Sequence, residues 1–517
     1  MKNFYLFVSV IFISQQTFSQ SYDTSFDGDG FISWNDTHDG IGMIEIPTDI
    51  IYEETTGKII MLNQFNGEGA NLHRFNADGT HDSSFGVDGK EEIDLSSSSE
   101  FSNIFTDEDG YRLTGYRYVD PDKWSPFNED INADGSINTS FGTGGIIGEY
   151  SIERAFIHAA CKTSEGKYFL AGNLNSVGTY GAPIMSFNAD GTYNTAFGFY
   201  SLEINELTNF YDVTELPDGR IIAIGETHDF PGDYFPIIAC FLPDGGLDLS
   251  FSGDGIAMPE MPLPHLSYSF LSVTADLDGN ILIGGNVRLN PADDGYKVYI
   301  AKFDTDGNLM TDFGTDGYAY TVTTSFCEIP KILVSSVGNI YGLSSGHLET
   351  DATLITHIFK FFPDGTPDTD FTNGEPGLFR IQVAGTSEYD DIDGRDMFMQ
   401  PDGKLVVLGK TDGLSLNDDF WITRITSNET PVDVIDENDL QKNISIFPNP
   451  ASEFISIRCN EQIHVLKIFS LDGKEQFSTD ESNRMQNINI EYLEAGSYML
   501  QVKLSSGDLL NEFFVKQ

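Results

Sequence analysis

Apolar residues in this chain come in short runs bounded by turn pairs. Asp218-Gly219-Arg220 leads into Ile221-Ile222-Ala223-Ile224-Gly225, and Asp402-Gly403-Lys404 leads into Leu405-Val406-Val407-Leu408-Gly409. The runs are continuous rather than alternating, which predicts strands covered on both faces, as in stacked sheets. Asp-Gly between β-formers predicts tight hairpins, because a type I′ turn needs positive φ at both central residues. No segment offers an amphipathic helix. The chain reads as all-β.

Two patterns recur in phase. One is Phe-x-x-Asp-Gly followed by Asp/Asn-x-Ser/Thr-Phe-Gly, as in Phe75 to Gly79 leading into Asp82-Ser83-Ser84-Phe85-Gly86. Its second Phe falls at 26, 85, 141, 197, 251, 313 and 371, at intervals of 54 to 62 residues. Some copies are worn, with Ile131 in place of the first Phe and Met310 in place of the Asp or Asn. The other pattern is Asp-Gly, an apolar run and Gly, and its leading Gly falls at 57, 110, 166, 219, 279, 338 and 403. Each unit has room for about four strands, which predicts a seven-bladed β-propeller of four-stranded blades. The array opens in mid-pattern at Asp23-Thr24-Ser25-Phe26. It ends at Phe420-Trp421-Ile422-Thr423-Arg424-Ile425, where Asn428-Glu429 replaces Asp-Gly. The missing halves are complementary, so the N-terminal segment is expected to complete the seventh unit. A β-solenoid, the alternative, needs capping repeats that are not evident. The repeat resembles the delta-60 family over Tyr22 to Thr426, which implies a propeller of a secreted bacterial protein and says little about function.

Residues 428–443 are acidic, contain Pro431 and read as a linker. From 444 to 517, short strands such as Phe454-Ile455-Ser456-Ile457 and Tyr498-Met499-Leu500-Gln501-Val502 predict a small β-sandwich. The succession Pro448-Asn449-Pro450, Asp472-Gly473-Lys474, Gly496-x-Tyr498 and terminal Lys516 resembles the C-terminal sorting domain of type IX secretion substrates. That resemblance implies the type IX machinery as partner, passage through the outer membrane, and release or attachment at the cell surface.

The N-terminus points the same way. Lys2, the apolar run Phe4 to Ile13, and Thr17 and Ser19 before a cut after Ser19 read as a signal peptide over residues 1–19. No Cys follows the cut, and no later run reaches the length of a membrane helix. A soluble, exported monomer is expected.

Charge narrows the function. The chain of 517 residues has 28 Lys+Arg against 80 Asp+Glu, a formal −52. Nucleic-acid binding needs a basic footprint, and so does docking on anionic lipid. Cys161, Cys240, Cys327 and Cys459 lie at irregular spacing with no CxxC, and read as buried thiols, Cys240 most clearly.

Candidate chemistry is sparse. Asp130-x-Asn132-x-Asp134-Gly135 matches the first half of a calcium loop, but Phe141 stands where a bidentate Glu belongs, so a structural turn is preferred over calcium. Gly342-Leu343-Ser344-Ser345-Gly346 matches a nucleophile elbow, with His347 beside it, yet falls on an apolar strand and reads as coincidence. The repeated Phe residues read as inter-blade core. Trp34, Trp124 and Trp421 read as packing rather than sugar platforms. No catalytic, cofactor-binding or metal residue is assigned. The preferred reading is a non-catalytic surface module binding a glycan or protein. The alternative is a secreted polysaccharide- or peptide-degrading enzyme with its site at the propeller's axial mouth.

Overall fold

The computed structural model describes residues 20–34, 45–65, 69–93, 99–120, 123–148, 152–153, 155–176, 179–205, 207–228, 234–260, 265–289, 296–321, 326–347, 354–373, 377–383, 391–412, 419–427, 429, 444–447, 451, 454–470, 474–479, 483–490, 492–493, 496–504 and 509–516. The expected signal peptide, most of the linker and the side chains of Trp34, Cys327 and Cys459 lie outside them. Two compact units divide the chain, Met1–Glu429 and Thr430–Gln517.

The larger unit is built from successive groups of antiparallel strands. β1 (Phe31–Trp34) stands first in the chain. The first group is β2 (Glu45–Glu53), β3 (Lys58–Phe65), β4 (Gly69–Phe75) and β5 (Lys90–Ile93), paired in that order. The second is β6 (Ser99–Asp107), β7 (Gly110–Asp120) and β8 (Lys123–Asn132), with β9 (Ile146–Ile147) and β10 (Ile152–Glu153) both on β8. The third is β11 (Ala155–Lys162), β12 (Tyr168–Ser176), β13 (Thr179–Phe187) and β14 (Phe199–Leu202). The fourth is β15 (Leu207–Glu215), β16 (Ile221–His228), β17 (Tyr234–Phe241) and β18 (Ile256–Ala257). Third and fourth join as one eight-stranded sheet through a single pairing, Asn173 with Asn209.

The fifth group is β19 (His265–Ala275), β20 (Ile281–Leu289), β21 (Tyr296–Phe303) and β22 (Tyr318–Tyr320). The sixth is β23 (Phe326–Val334), β24 (Ile340–His347), β25 (Leu354–Phe361) and β26 (Leu378–Arg380). The last is β27 (Asp391–Met399), β28 (Leu405–Asp412) and β29 (Asp419–Ile425), and its fourth strand is β1, with Phe31 opposite Thr423 and Trp34 opposite Phe420. The N-terminal segment therefore pairs where its sequence pattern places it.

The continuous apolar runs have a direct structural cause. Side chains alternate along a strand. On β16, Ile221 and Ala223 pack toward the third group, while Ile222 and Ile224 pack toward the fifth. The same division repeats from group to group. The circuit closes where Val406, Leu408, Phe420 and Ile422 meet Ile50, Ile59, Met61 and Phe75.

The repeated Phe locks neighbours together. A Cβ at Gly307 would lie 2.6 Å from the Phe251 ring, and one at Gly191 2.0 Å from Phe141, so only glycine lets the ring under the next Asp-Gly turn. The backbone beside the Phe then bonds the same turn: Asp27 N–H to the Asp78 carbonyl (2.7 Å), Gly86 to Asp134 (2.7 Å), Gly314 to Asp364 (2.8 Å). Above the ring sits a charge pair. Arg424 and Asp23 (2.8 Å) cover Phe26, and Arg74 and Asp82 (2.9 Å) cover Phe85. Two groups replace the pair with an amide, Asn138 donating to Asp130 (2.8 Å) and Asn194 to Ser186 (3.3 Å), and in the fourth group Asp248 lies opposite Cys240 and draws its cation from Arg220 instead (3.3 Å). At the array's end Glu429 takes the glycine's place. The sequence assigns it to the linker, but its side chain is 4% exposed and accepts from Tyr341 Oη (2.6 Å) and Asn339 Nδ2 (2.8 Å), which ties it to the larger unit.

The smaller unit is one hydrogen-bonded sheet of six strands: β30 (Ile444–Phe447), β31 (Phe454–Ser470), β32 (Glu475–Thr479), β33 (Asn483–Asn489), β34 (Gly496–Leu504) and β35 (Leu509–Lys516). Long β31 pairs with β30 and β33 in its first half, and with β32 and β34 in its second. A register shift between Ile463 and Val465 moves the buried set from Ile455, Ile457 and Ile463 to Leu466 and Ile468, which changes its parity.

Candidate functional site

The first strands of the groups are neighbours in a closed cycle, from β2 through β6, β11, β15, β19, β23 and β27 back to β2. They form an inner wall. Each carries a bulge, at Pro47/Asp49, Phe101/Asn103, Ile157/Ala159, Phe210/Asp212, Phe270/Ser272, Glu328/Lys331 and Gly394/Asp396. The Gly that ends the second sequence pattern sits opposite the bulge. A Cβ at Gly172 would lie 1.8 Å from the Phe156 carbonyl oxygen, and one at Gly225 1.9 Å from that of Asn209. That glycine permits the close approach.

The residue just after each bulge staples one group to the next. Asp49 accepts from Ile104 N–H (2.9 Å), Asn103 from Ala160 (2.8 Å), Asp212 from Val273 (2.8 Å), Ser272 from Ile332 (3.1 Å) and Asp396 from Ile50 (3.2 Å). Ala159 interrupts this belt in the third group. In the sixth, the Lys331 ammonium instead reaches Asp396 (3.3 Å). Burial holds Asp49 well above the usual carboxylate range, with the charge of Asp396 adding to it. Burial also raises Asp212. The charge of Asp396, then those of Asp49 and Asp212, outweigh the burial of Lys331 and raise its pKa. Three carboxyls from separate groups thus share one tethered cation.

The bulge residues themselves differ: Thr48, Ser102, His158, Tyr211, Leu271 and Arg395. His158 and Tyr211 lie 6.3 Å apart, ring to ring. Tyr211 Oη donates to Glu226 (2.6 Å), and Ser269 Oγ of the next group approaches the other oxygen (3.5 Å). Burial raises Glu226, and desolvation by the surrounding wall lowers His158, although its side chain is open to solvent. A second phenol–carboxyl pair, Tyr116 with Glu100, stands in the second group. Glu129 on β8 is wholly buried, and among the described residues neither of its carboxyl oxygens has a hydrogen-bond partner. Burial holds its pKa up at about 8 against the charge of Arg117.

The sequence-derived candidates fall elsewhere. Asp130 is paired with Arg112 (3.0 Å), Asn132 donates to Ser136 Oγ (3.0 Å), and Asp134 accepts from Ser136 N–H (3.0 Å) and Oγ (2.6 Å). Gly342 to Gly346 lie within β24, between β23 and β25, rather than at a strand-to-helix turn. Trp421 is wholly buried between the sixth and last groups, and Trp124 packs with Tyr116, Tyr118 and Phe156. Six repeated Phe residues are buried; Phe141 is half-buried, with the Arg112 guanidinium 4.2 Å above its ring. Cys240 is fully buried, and burial pushes its thiol up to about 12; Cys161 is half-buried.

Of the sorting-domain residues, Pro448, Asn449, Pro450, Asp472 and Gly473 lie outside the described residues. Lys474 is exposed. Gly496 pairs with Lys516, and Tyr498 stacks on Phe514 (5.6 Å), so these residues gather at one end of β34 and β35.

The inner-wall residues were missed, although a signal exists. Asn103, Ala159, Asp212, Ser272, Lys331 and Asp396 each stand seven positions before the leading Gly of the second pattern, and Asp49 stands eight before its own. Polar residues at one phase of otherwise apolar strands mark a shared structural position.

Comparison with known proteins follows the same division. The secretion system C-terminal sorting domain family matches residues 445–516. A β-propeller domain of unknown function (DUF5122) matches residues 216–251, in the fourth group. A search of curated protein sequences finds no match. Similar solved structures include PorZ, an essential bacterial surface component of the type IX secretion system of Porphyromonas gingivalis, with 12% identity over 90% of this chain and 59% of that one, TM-score 0.41. This chain therefore spans about three fifths of PorZ. A periplasmic gluconolactonase of Pseudomonas aeruginosa has 13% identity over 73% of this chain and 98% of that one, TM-score 0.33. A protein of unknown function from Dyadobacter fermentans has 12% identity over 77% and 99%, TM-score 0.36. Among the described residues no helix is long and apolar enough to cross a membrane. Residues 445–516 are a C-terminal sorting domain of type IX secretion, and the chain is an all-β propeller protein secreted across the outer membrane, surface-attached or extracellular.

Proposed function

We propose that residues 20–427 form seven four-stranded blades of a delta-60-type propeller, and that it acts as a non-catalytic binding module at the cell surface. Seven clusters, each shared by successive groups, support the blade count. One observation carries the function: the bulge residues of the inner wall change from group to group while the packing residues repeat. Loops and walls that vary on a constant scaffold are where such folds bind ligands. The partner is a glycan or a protein, and the module is a monomer. The smaller unit is a two-layer sandwich folded about β31, and its motif residues address the protein to the type IX machinery. Arrays of glycans and of surface proteins, probed with the full chain, test the reading; silence across both rejects it. Deleting residues 444–517 is expected to leave the protein in the periplasm.

A second reading, a hydrolase of polysaccharide or peptide, draws on the convergence of Tyr211, Glu226 and His158 with shifted pKa values. Turnover of polysaccharide by the wild type, lost in Glu226→Gln, would select it.

A further inference from the structure

We propose that the inner wall at the junction of the fourth and fifth groups is a binding pit for a neutral saccharide, with Tyr211, Glu226, Asn209 and Ser269 as its polar floor and Tyr234 on His228 as its stacking platform. The inference rests on the binding-module reading and names its ligand class.

The floor is built from buried groups. Glu226 is 9% and Asn209 8% exposed, on facing positions of β16 and β15. The Glu226 carboxyl is fixed by Tyr211 Oη at 2.6 Å. The Asn209 amide bonds Tyr211, yet its Oδ1 is buried without a donor among the described residues. Buried polar atoms are ordinarily hydrogen-bonded, so this oxygen keeps an acceptor site that a water or a ligand can fill. A ligand hydroxyl supplies the donor.

The platform stands two residues further along β16. His228 pairs across the hairpin with Tyr234, and their rings stack at 4.3 Å and 17°. Tyr234 remains 44% exposed, a large flat face presented to solvent. His228 is close enough for its charge to act on Glu226, so platform and floor belong to one place. A pyranose matches both parts, because its C–H face lies on an aromatic ring while its hydroxyls both donate and accept.

Charge selects among ligands. A chain of formal −52 repels anionic glycans. Burial disfavours the charged form of Glu226, so its carboxyl suits a hydroxyl better than an ammonium.

The test uses the full chain on an array of neutral oligosaccharides (glucans, mannans, xylans), with chitosan oligomers and sulfated glycans as charged arms and a protein array alongside. The expected result is binding to a neutral oligosaccharide, weakened roughly tenfold or more by Tyr211→Phe, Glu226→Gln and Tyr234→Ala, and unchanged by Tyr118→Ala. The first two substitutions keep shape, and unchanged thermal melting confirms that they fold. Wild-type strength in all three variants overturns the site while leaving the module reading intact. Binding only to charged glycans or to proteins overturns the ligand class and again spares that reading. Binding to nothing overturns both.

Discussion

At the Asp-Gly end of the larger unit the groups are near copies: a Phe under a Gly, a backbone bond to the turn and, at Phe26, Phe85, Phe141 and Phe313, a cation over the ring. Along the inner wall the copies diverge, from Thr48 and Ser102 to His158, Tyr211, Leu271 and Arg395. The two regions lie on the same strands. The difference shows that the repeat constrains how neighbours pack, and leaves the wall free to take on specific chemistry.

The comparison is broken most forcefully at the closure. Partial burial raises Asp23, but hydrogen bonds from Ser25 and the charges of Arg424 and Lys404 outweigh it and hold the carboxyl at about 2. Arg424→Met leaves that carboxylate with only Lys404 (3.3 Å) and Ser25 and strips the Ala77 carbonyl of its guanidinium donor, and the expected loss is about 3 kcal/mol in denaturant unfolding. The uncharged equivalent gives the contrast, since Asn194→Ala is expected to cost about 1 kcal/mol. Equal losses at the two sites would remove the distinction between charged and neutral copies.

Glu129 is the next largest effect. Folding raises its pKa from 4.5 to about 8, so the folded state holds an extra proton between those values and stability falls as pH rises through them. Glu129→Gln is expected to flatten that slope and to gain roughly 3 kcal/mol at pH 8. A wild-type unfolding free energy that is flat from pH 5 to 8 would contradict it.

In the belt, Asp212→Ala strips the Val273 N–H of its partner and is expected to cost about 1–3 kcal/mol. The smallest effect belongs to the turn end. Asp134→Ala removes side-chain bonds to Ser136 and is expected to cost under about 1 kcal/mol. Calcium titration should leave the melting temperature of both wild type and variant where it was; a calcium-dependent rise in the wild type would return Asp130, Asn132 and Asp134 to the role of ligands.

The scaffold was legible because its requirements are local and recur. Phe251 and Gly307 stand at fixed phase, and the worn ends at Asp23 and Ile425 indicated which strand meets which. The wall was not legible, because Glu226 acquires its partners from Tyr211 by a bulge and from Ser269 by the stacking of another group. Neither contact follows from hydropathy. Glu429 was misplaced for the same reason: its acidic neighbours read as linker, while Tyr341 and Lys360 lie far back in sequence.

The pairing of β1 with β29 also bears on how the protein is made. Thr423 Oγ1 donates to the Gly30 carbonyl, 393 residues earlier, so the first strand synthesised is among the last to find its place. Contacts this distant in sequence slow folding more than they weaken the finished structure, since loop-closure entropy grows only logarithmically. A nascent chain that stops short of Phe420 leaves β1 with no strand to join.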